Sequence, residues 1–148
     1  MPDALRPIPY LIMHIVSHGI DLIECERIAQ MMERYPEQFL RRVLTDAEQE
    51  YIKGKRNPIP HIAGRFAAKE AILKVLGTGW RGQISWQDIE ITHDANGQPH
   101  VSLTGESAAV ARRRGITRIL LSISHTANYA TASAIGVGGG DSPLNKSL

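Results

Sequence analysis

Gly64-Arg65-Phe66-Ala67-Ala68-Lys69-Glu70-Ala71-Ile72-Leu73-Lys74-Val75-Leu76-Gly77-Thr78-Gly79 is the stretch that decides the fold. It predicts a helix that is apolar around most of its circumference and stops at Gly77, and such a helix belongs inside a core. Yet it carries Arg65, Lys69, Glu70 and Lys74. A buried charge is costly unless a partner meets it. Glu70 stands one turn after Phe66 and just under one turn before Leu73, so its carboxylate borders an apolar stripe. That setting suits a metal ligand or a catalytic acid. The plain alternative is an i,i+4 ion pair with Lys74, worth about 0.2–0.5 kcal/mol and common on helix surfaces. Arg65 and Lys69 share the same spacing and repel.

A second segment shifts the balance: His18-Gly19-Ile20-Asp21-Leu22-Ile23-Glu24-Cys25-Glu26-Arg27-Ile28. Ile15 to Ile23 reads as a buried strand. Asp is disfavoured in strands, so Asp21 needs a reason to be there. A helix N-cap is the structural explanation, but Leu22-Ile23 still follow, and Glu24 or Cys25 is the better helix start. Two carboxylates, one at a strand end and one on a central helix, form a donor set suited to Mg²⁺. That ion keeps several waters and takes few protein ligands.

Composition sets outer limits. A chain of 148 residues with 43% hydrophobic residues supplies one domain and one core. No run approaches the ~20 apolar residues of a membrane span, and Ile8–Val16, broken by Pro9 and His14, is a poor signal sequence. Cys25 is the single cysteine, which excludes an intrachain disulfide and fits a reducing cytoplasm. No Cys/His group has zinc spacing. A net charge of +2 does not point to nucleic acid. Arg112-Arg113-Arg114 reads as solvated surface.

The remaining chain reads as α+β. Residues 1–13 form a Pro-rich extension expected to be flexible, with Met13 a possible alternative start, and 14–136 form the domain. A strand at Ile15–Ile23 leads into a helix at Glu24–Arg34. Pro36 starts a shorter helix, and Thr45-Asp46-Ala47-Glu48 is a capping box for another. Asn57-Pro58-Ile59-Pro60 reads as a linker before the central helix. Trp86–His93 and His100–Leu103 are strands joined by a turn at Asn96-Gly97. Thr104–Arg114 is a helix, and Arg118–Ser124 and Tyr129–Ile135 are strands. The glycines from Gly136 onward begin an expected flexible tail, 137–148.

Three motifs now stand in order: Gly19-Ile20-Asp21 with Glu26-Arg27-Ile28; Gly64 to Ala71 with Gly77-Thr78-Gly79; and Ser122-Ile123-Ser124-His125 with Tyr129-Ala130. Together they resemble the 4′-phosphopantetheinyl transferases, and their spacing is similar to the short holo-[acyl-carrier-protein] synthase branch, over roughly Ile15 to Ile135. The resemblance implies a single-domain fold with an antiparallel sheet packed against a long central helix. It implies transfer of the phosphopantetheine arm of coenzyme A to a serine of apo-acyl carrier protein, in fatty acid biosynthesis, with Mg²⁺ as cofactor. Asp21 and Glu70 would hold the metal, and Glu70 and Lys74 would be catalytic, the serine proton going to Glu70 or to a metal-bound water. Arg65, Lys74, Gly77, Thr78, Gly79, His125 and Thr126 would bind the coenzyme. Arg27 and Arg42, with Phe39 as apolar neighbour, would dock the acidic carrier. Homotrimers with sites at subunit interfaces are also implied. The rival readings are a non-catalytic coenzyme A or nucleotide binder and a Mg²⁺-dependent phosphohydrolase.

Overall fold

Pro58–Leu76 is a single 19-residue helix, α4, and most of its residues are buried, with Phe66 and Glu70 partly exposed along its middle. The rest of the chain is arranged around it. The computed structural model describes residues 12–79 and 83–139. In chain order, β1 (Met13–Glu24) is followed by three helices, α1 (Cys25–Arg34), α2 (Pro36–Val43) and α3 (Asp46–Lys53). After α4 come a 3₁₀ turn (Trp86–Asp88), the strands β2 (Ile89–His93) and β3 (Pro99–Leu103), and helix α5 (Gly105–Arg113). Strands β4 (Arg118–His125) and β5 (Tyr129–Gly139) complete the described chain. The result is an α+β domain with two antiparallel sheets, β1-β5-β4 and β2-β3.

The larger sheet lays one face on α4. That face is built from Ile23, Leu121, Ala130, Ala132 and Ala134, all buried. Small residues on β5 let the helix come close. Contact is tightest at Gly19, where a Cβ would lie 2.1 Å from the Ala71 carbonyl oxygen and 2.9 Å from the Lys74 Cβ. Only glycine allows β1 to meet α4 there. At the opposite end of the helix, Gly64 faces Ile123 of β4. Thus α4 crosses the sheet diagonally, its first turns over β4 and its last turns over β1.

Local chemistry explains the helix ends. Pro58 lies in the first turn of α4, where a missing N–H leaves no intrahelical bond unmade. Gly77 closes the helix with a left-handed φ of 77°, its N–H bonded to the Leu73 carbonyl. The Thr45–Glu48 capping box forms at α3 in both directions.

Several boundaries differ from the sequence reading. Asn57–Pro60 is largely the first turn of α4 rather than a linker. Trp86–Asp88 is a capped 3₁₀ turn, because Ser85 and Asp88 bond reciprocally to each other's backbone N–H groups. The hairpin loop spans residues 94–98 and is tied by the Asp94 carboxylate, which accepts from the backbones of Asn96 and Gln98. The glycine run does not leave the fold at Ile135. Strand β5 continues to Gly139, with Gly138 and Gly139 opposite His14 and Met13 of β1. Most of the expected extension and of the expected tail falls outside the described residues.

Candidate active site

Asp21 sits on the face of β1 that carries Gly19 and Ile23, and so looks towards α4, with its side chain 20% exposed. Its position is fixed by the strand ladder opposite Ala132 and by Thr131, whose hydroxyl donates to the Asp21 carbonyl at 2.8 Å. From α4, the Lys74 Nζ donates to the Ile20 carbonyl at 2.6 Å and lies 3.5 Å from the Asp21 carboxylate. Glu70 is half-buried one turn earlier on the same helix, next to the Ala71 carbonyl that Gly19 abuts. The two motifs are therefore brought to the same turn of α4. Among the described residues no group of three or more His, Cys, Asp or Glu could hold a metal. A two-carboxylate site fits a hard divalent cation whose remaining positions are taken by water and phosphate oxygens.

A second charged centre lies towards the start of α4. Arg65 is 3% exposed, sunk in the fold like the helix that carries it. Its Nη2 donates to His93 Nδ1 at 3.2 Å, and its guanidinium carbon lies 4.2 Å from the centre of the Tyr51 ring. Glu48 Oε2 stands 3.8 Å from Arg65 Nε, too far for a hydrogen bond, and that nitrogen has no other partner. Lys69, fully buried, takes the better share of Glu48. Its Nζ donates at 2.7 Å to Glu48 Oε1, at 2.7 Å to the Val43 carbonyl and at 3.0 Å to the Trp86 carbonyl. Burial lowers the pKa of both cations, and the Glu48 carboxylate opposes that shift.

Basic and aromatic groups rim this centre. His93 stacks on Tyr51 with 5.1 Å between ring centres, and Lys55 lies 4.4 Å from the same ring. His61 approaches His125 edge-on at 5.5 Å. Burial, then Lys55, His125, Arg65 and His93, hold His61 below its ordinary pKa. Burial, then Arg65 and Lys55, do the same for His93. Positive charges crowd one another here, an arrangement that an anion would relieve.

His125 itself is exposed at the end of β4. With Leu22, Ser124, Thr126, Tyr129 and Thr131 it lines a hollow of about 280 Å³. The Thr126 hydroxyl accepts from the backbones of Asn128 and Tyr129, closing the β4–β5 turn. In the Gly77-Thr78-Gly79 loop, Thr78 donates to the Gly79 carbonyl. That loop rests on Arg114, whose Nη1 donates to the Val75 carbonyl at 2.6 Å and would lie 2.7 Å from a Cβ at Gly77. Arg114 therefore caps α4, while Arg113 pairs with Glu106, so two arginines of the triple have defined partners.

Arg27 and Arg42 are exposed on α1 and α2. Phe39 is 7% exposed and packs in the core, and it also lines a pocket beside Arg42. The apolar groups that do reach solvent beside Arg42 are Met31, 41% exposed, and Tyr35, 55% exposed. Both line a pocket of about 400 Å³ together with Arg42, Phe66 and Trp86.

Residues 17–133 match the model of the 4′-phosphopantetheinyl transferase superfamily. The chain belongs to that superfamily. A holo-[acyl-carrier-protein] synthase of Caldanaerobacter subterraneus subsp. tengcongensis is 52% identical over 124 residues, which are 84% of this chain and 96% of that protein. Among solved structures, a Plasmodium yoelii acyl carrier protein synthase with ADP bound matches with a TM-score of 0.77 and 37% identity, covering 86% of this chain and 98% of that one. A Bacillus anthracis holo-(acyl-carrier-protein) synthase in complex with coenzyme A (3′,5′-ADP) matches with a TM-score of 0.71 and 35% identity, covering 86% and 99%. The phosphopantetheinyl transferase fold thus accounts for both sheets and for α4. Sequence reasoning missed Glu48, Tyr51, His61 and His93, which lie up to dozens of residues from the motif they support.

Proposed function

We propose that this phosphopantetheinyl transferase moves the 4′-phosphopantetheine arm of coenzyme A onto a serine of apo-acyl carrier protein, releasing adenosine 3′,5′-bisphosphate, as a step serving fatty acid biosynthesis. The observation that carries the reading is Lys74 reaching from the Glu70 turn of α4 to Asp21 on β1. Asp21 of the first motif thereby meets Lys74 of the second, and Glu70 stands one turn before Lys74 on α4. Asp21 and Glu70 are the groups that would hold Mg²⁺, which when bound screens the pyrophosphate charge and stabilises the leaving phosphate. Lys74 neutralises charge developing on the bridging oxygen. The serine oxygen bonds to the β-phosphorus, the bond from that phosphorus to the bridging oxygen breaks, and the serine proton passes to Glu70. Most of the rate gain comes from alignment and charge placement.

The basic centre around Arg65 and His125 takes the nucleotide phosphate, and the Gly77-Thr78-Gly79 loop borders the coenzyme. Arg27 and Arg42, the latter beside a pocket lined by Met31, Tyr35 and Phe39, meet the acidic carrier. The outer face of the large sheet exposes the apolar side chains of Ile20, Leu22, Leu120 and Tyr129. Apolar surface left exposed in this way is covered in assemblies, and a homotrimer built on this face would bring His125 and the adjoining hollow to a neighbour's site. The absence of any membrane-crossing helix among the described residues, and a lone unpaired cysteine, fit work in the cytoplasm.

Incubating the protein with coenzyme A, Mg²⁺ and an apo-carrier protein, then weighing the carrier, tests the reaction. A carrier heavier by one phosphopantetheine arm is the expected result. An unmodified carrier with intact coenzyme would make the protein a binder, and phosphate release without carrier modification would make it a hydrolase.

A further inference from the structure

Helix α2 is eight residues long, too short to hold its own shape. Like any helix it leaves its last carbonyls without intrahelical donors. Side chains from three other elements supply them. From the 3₁₀ turn, Gln87 Nε2 donates to the Arg41 carbonyl at 2.5 Å and to the Leu44 carbonyl at 2.7 Å. Gln49 of α3 also donates to the Leu44 carbonyl, at 3.1 Å, and Lys69 of α4 donates to the Val43 carbonyl at 2.7 Å. Gln87 thus commits both hydrogens of its amide nitrogen to the last turn of α2.

The backbone that carries Gln87 is itself fixed. Its N–H donates to the Ser85 hydroxyl at 3.2 Å. The Trp86 carbonyl before it accepts from Lys69 at 3.0 Å. The Asp88 carbonyl after it accepts from the Thr104 N–H at 2.9 Å and from the Ser107 hydroxyl at 3.0 Å. An exposed glutamine is ordinarily solvated surface; this one is a bracket between a rigid turn and a short helix.

Arg42 stands between the two carbonyls that the bracket grips. Trp86, next to Gln87, lines the pocket beside Arg42 together with Met31, Tyr35 and Phe39, and its ring packs against Phe66 with centres 5.0 Å apart. The same turn therefore supplies one wall of the pocket and sets the direction of the helix that supplies another.

We propose that Gln87 is a positioning residue for carrier recognition, holding the last turn of α2 so that Arg42 is correctly placed against that pocket. The proposal rests on the reading of α1 and α2 as the face that meets the carrier. Gln87 acts through Arg42 and takes no part in the transfer step.

The experiment is a double-mutant cycle on the full chain, with Gln87→Leu, Arg42→Ala and the pair, read as the KM for the carrier and the KM for coenzyme A in carrier modification. Gln87→Asn, one methylene too short to reach both carbonyls, is the second variant should the leucine not fold, and thermal melts check each protein. Either Gln87 variant should raise the carrier KM about fivefold, as expected for two lost hydrogen bonds, and leave the KM for coenzyme A within about twofold. In the Arg42→Ala background the same change should move the carrier KM less than about twofold, because a displaced Arg42 is no longer there to matter. A folded Gln87 variant with an unchanged carrier KM, full additivity in the pair, or an equal rise in both KM values would overturn the proposal while the docking face stands. A folded Arg42→Ala variant with an unchanged carrier KM would instead remove Arg42 from the docking face, and the proposal with it.

Discussion

Glu48 shows how much one side chain carries in this fold. It accepts from Lys69, from the backbone N–H of Thr45 and from that of Ile91, and it faces Arg65. Glu48→Ala should cost about 3–5 kcal/mol, because two buried cations lose their counter-charge; urea unfolding reads this directly, and a loss below about 1 kcal/mol would contradict the geometry. His61 and His93 are both held below the ordinary value of 6.5, first by burial. Below that pH the unfolded chain binds protons that the native chain resists, so stability present above it is lost as pH falls through their native values. Thermal melts should drop on acidification from about pH 7.5 to 5, and a His61→Gln/His93→Gln double variant should flatten that slope. At this scale the sequence was half legible. Asp21 stood out as an acid in an apolar strand and Glu70 as an acid on a buried helix. Glu48 did not, because as the last residue of a capping box it already had a sufficient local explanation. Nothing in its surroundings reveals that Lys69 and His93, far along the chain, converge on the same spot.

Elements were read well wherever periodicity or capping chemistry was strong. The strand at β1, the helices α1 to α5 and the last two strands stand close to where spacing put them. Errors fell where two residue types carry opposite messages. Prolines at Pro58 and Pro60 suggest a linker, yet a first helical turn accommodates them. Glycines after Ile135 suggest a tail, yet strand β5 uses them for close packing, with Gly136 against Val75 and Ile116. Arg114 looked like surface because the cap it provides to α4 is a tertiary contact. The proposed docking surface belongs to α1 and α2 together. Core packing claims one side of α2 and most of Phe39, which leaves Met31 and Tyr35 as the exposed apolar groups beside Arg42. Arg27→Glu should raise the KM for the carrier about tenfold or more while leaving the KM for coenzyme A unchanged, since charge reversal acts on the acidic partner alone. Steady-state kinetics with each substrate varied in turn check this, and an unchanged carrier KM would remove α1 from the interface.

At the level of the whole molecule, α4 links two charged centres, one at β1 and one at β2 and α3, and the large sheet covers one side of it. Its other face is left greasy, with Leu22 65% and Ile20 57% exposed. Leu22→Asp should turn an assembled species into a monomer by sedimentation velocity and lower carrier modification with it; a monomeric intact protein, or an assembled variant, would contradict the role given to this face. Sequence patterning could not reveal that face as an interface, because alternation along β1 looks the same whether the second face meets water or another subunit. The proposed chemistry requires Asp21 and Glu70 to share one ion, beside the Lys74 side chain that ties α4 to β1. Its most direct test is calorimetric titration of Mg²⁺ into the protein–coenzyme A complex, for the intact chain and for Asp21→Ala and Glu70→Gln. A single saturable site in the intact protein, lost in both folded variants, is the expected result. Undiminished Mg²⁺ binding in either variant would mean that the two acids do not share an ion.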